Sequence, residues 1–116
     1  MKTNTDIVNK VLKKAYKIIE CGWCKDSFAK NKKGKEVRYL SKDATNFCIM
    51  GAVKLASKKV ASVSLNKSNL TRAVVNRLTT TMQKDTTKDY YDLVNFNDNQ
   101  NDKRSVLRLI KRALAA

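Results

Sequence analysis

The sequence contains no histidine and no proline, and only three glycines, three cysteines and one tryptophan. Without histidine, a cysteine nucleophile lacks its usual base, and a structural zinc site lacks the common partner of cysteine. The thiols Cys21, Cys24 and Cys48 leave a four-ligand site one short, and Asp98 would be an unusual fourth ligand. No metal or other cofactor is therefore expected. An odd cysteine count in a proline-free chain does not fit a disulfide scaffold. No apolar run approaches the ~18–20 residues of a membrane-spanning helix, and the opening MKTNTDIVNK lacks the apolar centre of a secretory signal. The expected setting is the cytoplasm, with reduced thiols and no membrane partner.

Acidic side chains are also scarce. Ten Asp and Glu stand against twenty-five Lys and Arg, for a net charge of +15 and a pI near 10.0. A low-GC genome would enrich Lys and Asn, as NKKGK, LNKSN and FNDNQN suggest, but AT-rich codons favour Glu as well and so raise both signs. The surplus of cations therefore needs another explanation. An unbalanced basic surface attracts polyanions by Coulomb interaction and counterion release, which makes nucleic acid the first candidate partner and an acidic protein surface its competitor.

What is present reads as helices. With 116 residues the chain fits one domain, 1–116, and shows no internal repeat or linker. From 5 to 21, apolar Ile7, Val8, Val11, Leu12, Ala15, Tyr16, Ile18 and Ile19 recur with helical spacing, Thr5 serves as N-cap, and Gly22 is placed as a left-handed residue past the last turn. Residues 25–40 form a short β-hairpin or extended loop, with 28–30 facing 37–39. A second helix, the expected central one, starts with Ser41 as cap and runs to about Lys58. Its Gly51-Ala52 pair implies close approach of another backbone. A third helix spans 68–83 with Leu70, Val74, Leu78 and Met82 inward, and a short helical turn occupies 88–93. NFNDNQND breaks the periodicity. A last helix follows Asp102 as N-cap, with Val106, Leu107, Leu109, Ile110, Ala113 and Leu114 apolar. The expected architecture is a mainly α, single-domain bundle of four to five helices, with a short β-hairpin between the first two.

In the stretch IIECGWCKDSF, Cys21 and Cys24 have the spacing of a redox or metal pair. A thioredoxin-like dithiol places its first cysteine at the start of a helix, whereas Cys21 ends one. The simpler reading is that Gly22 ends the helix, Trp23 folds back over it, and Cys24 and Cys48 fill space as small apolar residues.

GWC at 22–24, FCIMGAV at 47–53, and FND at 96–98 followed by KRSVLRLIKRAL resemble, in order and spacing, an uncharacterised family of small bacterial and phage proteins. In that family a G-W-C follows the first helix, a W-C-x-x-G-A lies on the second, and a W-N-D precedes the last. This chain departs from it with Phe47 and Phe96 in place of tryptophan. The resemblance implies a domain of unknown function with Gly22, Trp23, Cys24, Cys48, Gly51, Ala52, Asn97 and Asp98 at the characteristic positions. It brings no activity, and the lysine load is not part of it. Asn97 and Asp98 have two readings: a pocket with Cys24 and Arg104, or side chains that bond backbone N–H groups to fix the turn before the last helix. The second is the more common use of Asx residues.

The cations fall into three groups. Lys10, Lys13, Lys14 and Lys17 lie opposite the apolar face of the first helix; Lys30, Lys32, Lys33, Lys35 and Arg38 surround the proposed hairpin; Arg104, Arg108, Lys111 and Arg112 lie off the stripe of the last helix. Lysine grips phosphate as a point charge and reads little sequence, so weak specificity is expected, with Tyr39 and Trp23 available to stack on unpaired bases. The expected function is non-enzymatic binding of DNA or RNA through phosphate contacts. The alternative is a phage-encoded interaction module or inhibitor that binds an acidic surface of a host enzyme or defence complex.

Overall fold

The computed structural model describes residues 4–61, 66–82 and 90–115. Helix α1, Asn4–Cys21, buries Val8, Val11, Leu12, Ala15 and Ile19 and exposes its lysines, as the spacing predicts. It begins one residue earlier than expected, so Thr5 lies within its first turn and is not the N-cap. Gly22 ends the helix, donating to the carbonyls of Ile18 and Ile19 at 3.2 Å each. It is not left-handed, because among the described residues positive φ occurs only at Gly34 and Asp26. Glycine is required there for another reason: a Cβ would stand 2.2 Å from the Thr45 carbonyl oxygen.

Strand β1, Ala29–Lys30, pairs antiparallel with β2, Asn46–Phe47, in the register Ala29↔Phe47 and Lys30↔Asn46. The expected partner, 37–39, contributes only a bond from the Val37 N–H to the Ala29 carbonyl (3.1 Å), and the residue before it, Glu36, forms a bridge with Lys30. The chain between the strands turns at Gly34, where Asn31 Oδ1 accepts from the N–H groups of Lys33 and Lys35 (2.9 and 3.0 Å).

This pairing also sets where the next helix begins. Helix α2 is Ile49–Val60, shorter than expected from a Ser41 cap. The Thr45 and Cys48 N–H groups donate to the Lys30 and Phe28 carbonyls (3.0 and 3.1 Å), and backbone committed to a strand cannot join a helix. Ser41 Oγ instead accepts from the Asp43 N–H (3.1 Å) in a local turn. The N-cap is Cys48, whose Sγ accepts from the Gly51 N–H at 3.3 Å. As expected of the central element, α2 buries most of its first two turns, and Gly51 admits a foreign backbone: a Cβ there would lie 2.1 Å from the Phe28 carbonyl oxygen.

Helix α3, Lys67–Thr81, starts from Asn66, whose Oδ1 accepts from the Asn69 N–H (2.9 Å). Its expected end at 83 lies outside the described residues. The hydroxyls of Thr79 and Thr81 bond back to the carbonyls four residues earlier, which lets these residues stay helical. Helix α4, Tyr90–Asp98, corrects the reading of NFND as a break, while 88 and 89 lie outside the described residues. Leu93 and Asn97, one turn apart, are both fully buried, so the helical period continues through a polar residue. Helix α5, Lys103–Ala115, follows Asp102, whose Oδ1 accepts from the Arg104 N–H (2.9 Å).

The five helices among the described residues all place side chains in one core, with Leu12, Ile19, Ile49, Leu78, Leu93, Leu109 and Ile110 fully buried. The result is a mainly α, single domain with a small two-stranded sheet. No described helix is long and apolar enough to cross a membrane.

Candidate functional site

Three separate segments meet at Asn97. Its amide is wholly buried and uses its full hydrogen-bonding capacity. Oδ1 accepts from the Trp23 indole N–H (2.8 Å) and the Ile49 backbone N–H (2.9 Å); Nδ2 donates to the Cys24 carbonyl (3.1 Å) and to Asp98 Oδ1 (3.1 Å). Ile49 is the first residue of α2, where a backbone N–H has no acceptor within the helix. A side chain of α4 thus caps α2 and pins the turn that follows α1. The expectation that Asn97 and Asp98 bond backbone groups holds, but those groups are distant in sequence. The turn after α4 is closed by its own backbone, through the Asn99 and Gln100 N–H groups to the Asn95 and Asn97 carbonyls (3.2 Å each).

Asp98 Oδ1 also accepts from the Asp26 N–H (2.9 Å), which holds Asp26 in the left-handed region at φ 69°. Asp98, Asp26 and Glu36 border a cavity of about 270 Å³ with Cys48 among its lining residues. Arg104 is not part of it, contrary to one reading of the sequence. That guanidinium is exposed and bridges to Asp102 at 2.9 Å.

Cys24 and Cys48 are buried and Cys21 is exposed, so two of the three thiols fill space as expected. Burial first, then the adjacent Cys48 sulfur, raises the Cys24 thiol to about 11, with Lys30 pulling the other way. Burial also raises Cys48, against the N–H groups of Gly51 and Met50 that favour its thiolate. Both remain protonated at neutral pH, which is consistent with Cys48 serving as a helix cap. Gly22, Gly51 and the fully buried Ala52 let the segments around Asn97 approach closely.

The three cationic groups lie on different elements. Lys10, Lys13, Lys14 and Lys17 are exposed along α1, and Arg104, Arg108 and Lys111 along α5. These helices adjoin: Lys111 Nζ lies 5.6 Å from the centre of the Tyr16 ring, and Lys103 Nζ donates to the Glu20 carbonyl (2.7 Å). Arg112 turns the other way and donates to the Thr81 carbonyl at the end of α3 (3.0 Å). Arg77, absent from the sequence groups, ties α3 to both neighbours by donating to Asn9 Oδ1 (3.0 Å) and the Ala113 carbonyl (3.2 Å). Lys32, Lys33, Lys35 and Arg38 are exposed around the Gly34 turn and Lys30 is half-buried in β1; Lys42, also missed, joins Lys32 and Lys33 along a groove of about 530 Å³.

Sequence reading also missed Lys54, Lys67 and Arg72. They are single cations within otherwise mixed helix faces, and only the packing of α2 on α3 brings them together along one groove. Trp23, offered as a stacking surface, is half-buried with its N–H held by Asn97. Tyr39 is half-buried beside Lys54 and Lys67.

Helices packed around a buried asparagine, with a tryptophan–cysteine turn and a cysteine-capped helix tied to it, define the class of domain. The chain belongs to the family of unknown function DUF6197, which matches it over residues 3–116. The membership expected from the sequence therefore holds, and it carries no activity with it. A search of curated proteins and of solved structures finds no match.

Proposed function

We propose that this protein is a non-enzymatic nucleic-acid-binding protein that holds phosphates with little sequence preference. The observation that carries the reading is the adjacency of α1 and α5, where Lys111 leans over Tyr16 and Lys103 bonds the Glu20 carbonyl, so that two neighbouring helices both expose cations. Cations spaced along neighbouring helices suit a polyanion better than a single small anion, because each phosphate neutralised releases counterions. Lysine predominates on α1, which favours backbone contact over base readout. The non-enzymatic part is supported by the protonated thiols and the lack of histidine.

The test is a salt titration with DNA and RNA, single- and double-stranded. With about four phosphate contacts, affinity should fall roughly a hundredfold between about 50 and 200 mM salt. Binding indifferent to salt would sink the reading. A partner that survives nuclease treatment, with no oligonucleotide bound, would replace nucleic acid by an acidic protein surface.

A further inference from the structure

The groove between α2 and α3 combines an apolar floor with cations. It encloses about 520 Å³, within the ~300–1,000 Å³ range of small-ligand sites. Phe28, Met50 and Val75 supply the apolar surface; Lys54, Lys67 and Arg72 supply the charge; no carboxylate among the described residues lines it. Phe28 is 38% exposed, unusual for a phenyl ring in a chain with a well-filled core. Lys54 Nζ lies 5.0 Å from the Phe28 ring centre and 5.8 Å from that of Tyr39, while Lys67 Nζ lies 5.1 Å from the Tyr39 ring and donates to its hydroxyl. The aromatic rings thus hold two ammonium groups at the groove.

Thr71 also lines the groove, and its Oγ1, itself buried, has no hydrogen-bond partner among the described residues. The apolar floor and the three cations call for a ligand with an apolar or planar body and a negative charge. A nucleotide has both: a base for the apolar floor and a phosphate for the cations. In a duplex the base faces are stacked and unreachable, so the nucleotide must be unpaired. The cavity bordered by Asp26, Glu36 and Asp98 lacks this character, because its carboxylates would repel a phosphate.

We propose that the groove formed by Phe28, Lys54, Lys67, Thr71 and Arg72 seats one nucleotide of a single-stranded nucleic acid, its base against Phe28 and its phosphate on the cations. The proposal rests on the nucleic-acid reading above and adds a preference for single strands that phosphate contacts alone do not create.

Fluorescence anisotropy tests it with three labelled probes of equal length, about 12 nucleotides each: oligothymidine, an abasic oligomer with the same phosphates, and a duplex. The intact protein should bind oligothymidine about tenfold more tightly than the abasic strand, the gain expected from one stacked base. Phe28→Ala should bring that ratio near one. Phe28→Leu, which keeps apolar bulk for the fold, should reduce the ratio as well. Equal affinity of the intact protein for the two strands, or a ratio that survives both substitutions, overturns the proposal. Steep salt dependence with no base preference removes the groove and leaves the phosphate reading standing. If none of the probes binds, both fall. Thymidine monophosphate competing at the same concentration as the oligomer would overturn the assignment to a strand.

Discussion

Replacing Asn97 by alanine is the most direct way to test how the fold is held. The substitution leaves the Ile49 N–H and the Cys24 carbonyl without partners among the described residues, and it frees the half-buried Trp23 indole N–H. A buried polar group left unsatisfied costs about 1–3 kcal/mol, and the indole, which can reach water, costs less. Two buried groups and a small cavity together point to a loss of about 3–5 kcal/mol. That is a large share of the ~5–15 kcal/mol that stabilises an ordinary domain. Urea denaturation followed by far-UV circular dichroism gives the loss, and the emission of Trp23, the only tryptophan, reports whether its environment changes. Trp23→Phe should cost less, because Oδ1 still accepts from Ile49. The double variant should show coupling of about 0.5–3 kcal/mol. Asn97→Asp should be worse than alanine at neutral pH, since it buries a second carboxylate beside Asp98, and should recover as pH falls. A loss below about 1 kcal/mol for Asn97→Ala would refute the claim that this amide joins the three segments.

Gly51→Ala should cost about 3 kcal/mol or more, because the new methyl meets the Phe28 carbonyl oxygen, which itself holds the Cys48 N–H. Gly34→Ala, with open space but φ +83°, should cost about 1–2 kcal/mol, and thermal denaturation of the two variants checks the order. The raised Cys24 thiol makes a pH prediction. Its folded value of about 11 exceeds the ordinary 9.0, so the unfolded chain gives up the proton first. Its contribution is complete below about 9 and is lost, by ~2–3 kcal/mol, as pH rises through about 11. Urea midpoints across that window should fall less steeply for Cys24→Ala than for the intact protein. An equally steep fall in both would assign the loss to other groups. Neutralising Lys13 and Lys17 to Gln should lower the salt slope of nucleic-acid binding by about one for each phosphate that is no longer neutralised, with no change of sequence preference.

Helices α1, α3 and α5 were legible because their apolar spacing is local, and Asp102 opens α5 as expected, whereas the Asn66 cap of α3 was not singled out and Thr5 does not cap α1. The burial of Cys24 and Cys48, and the need for another backbone at Gly51, were also legible from residue type and place. Ser41 as a cap and 37–39 as a strand were not, because both depended on which distant backbone the 44–48 segment would pair with. The helical state of NFND was hidden by its polar residues, which normally favour turns; burial of Asn97 against Trp23 and Ile49 overrides that preference.

By itself, the sequence determined where helical faces form, the sign and size of the charge, and the absence of histidine chemistry, since each follows from composition or from spacing within a few turns. Tertiary structure decided that α4 caps α2, that Lys111 of α5 lies over Tyr16 of α1, and that Lys54, Lys67 and Arg72 share a groove with Phe28. The physical reason is range. Periodicity and capping act over one to four residues, whereas a buried hydrogen bond or a gathering of like charges depends on which distant surfaces the core brings together.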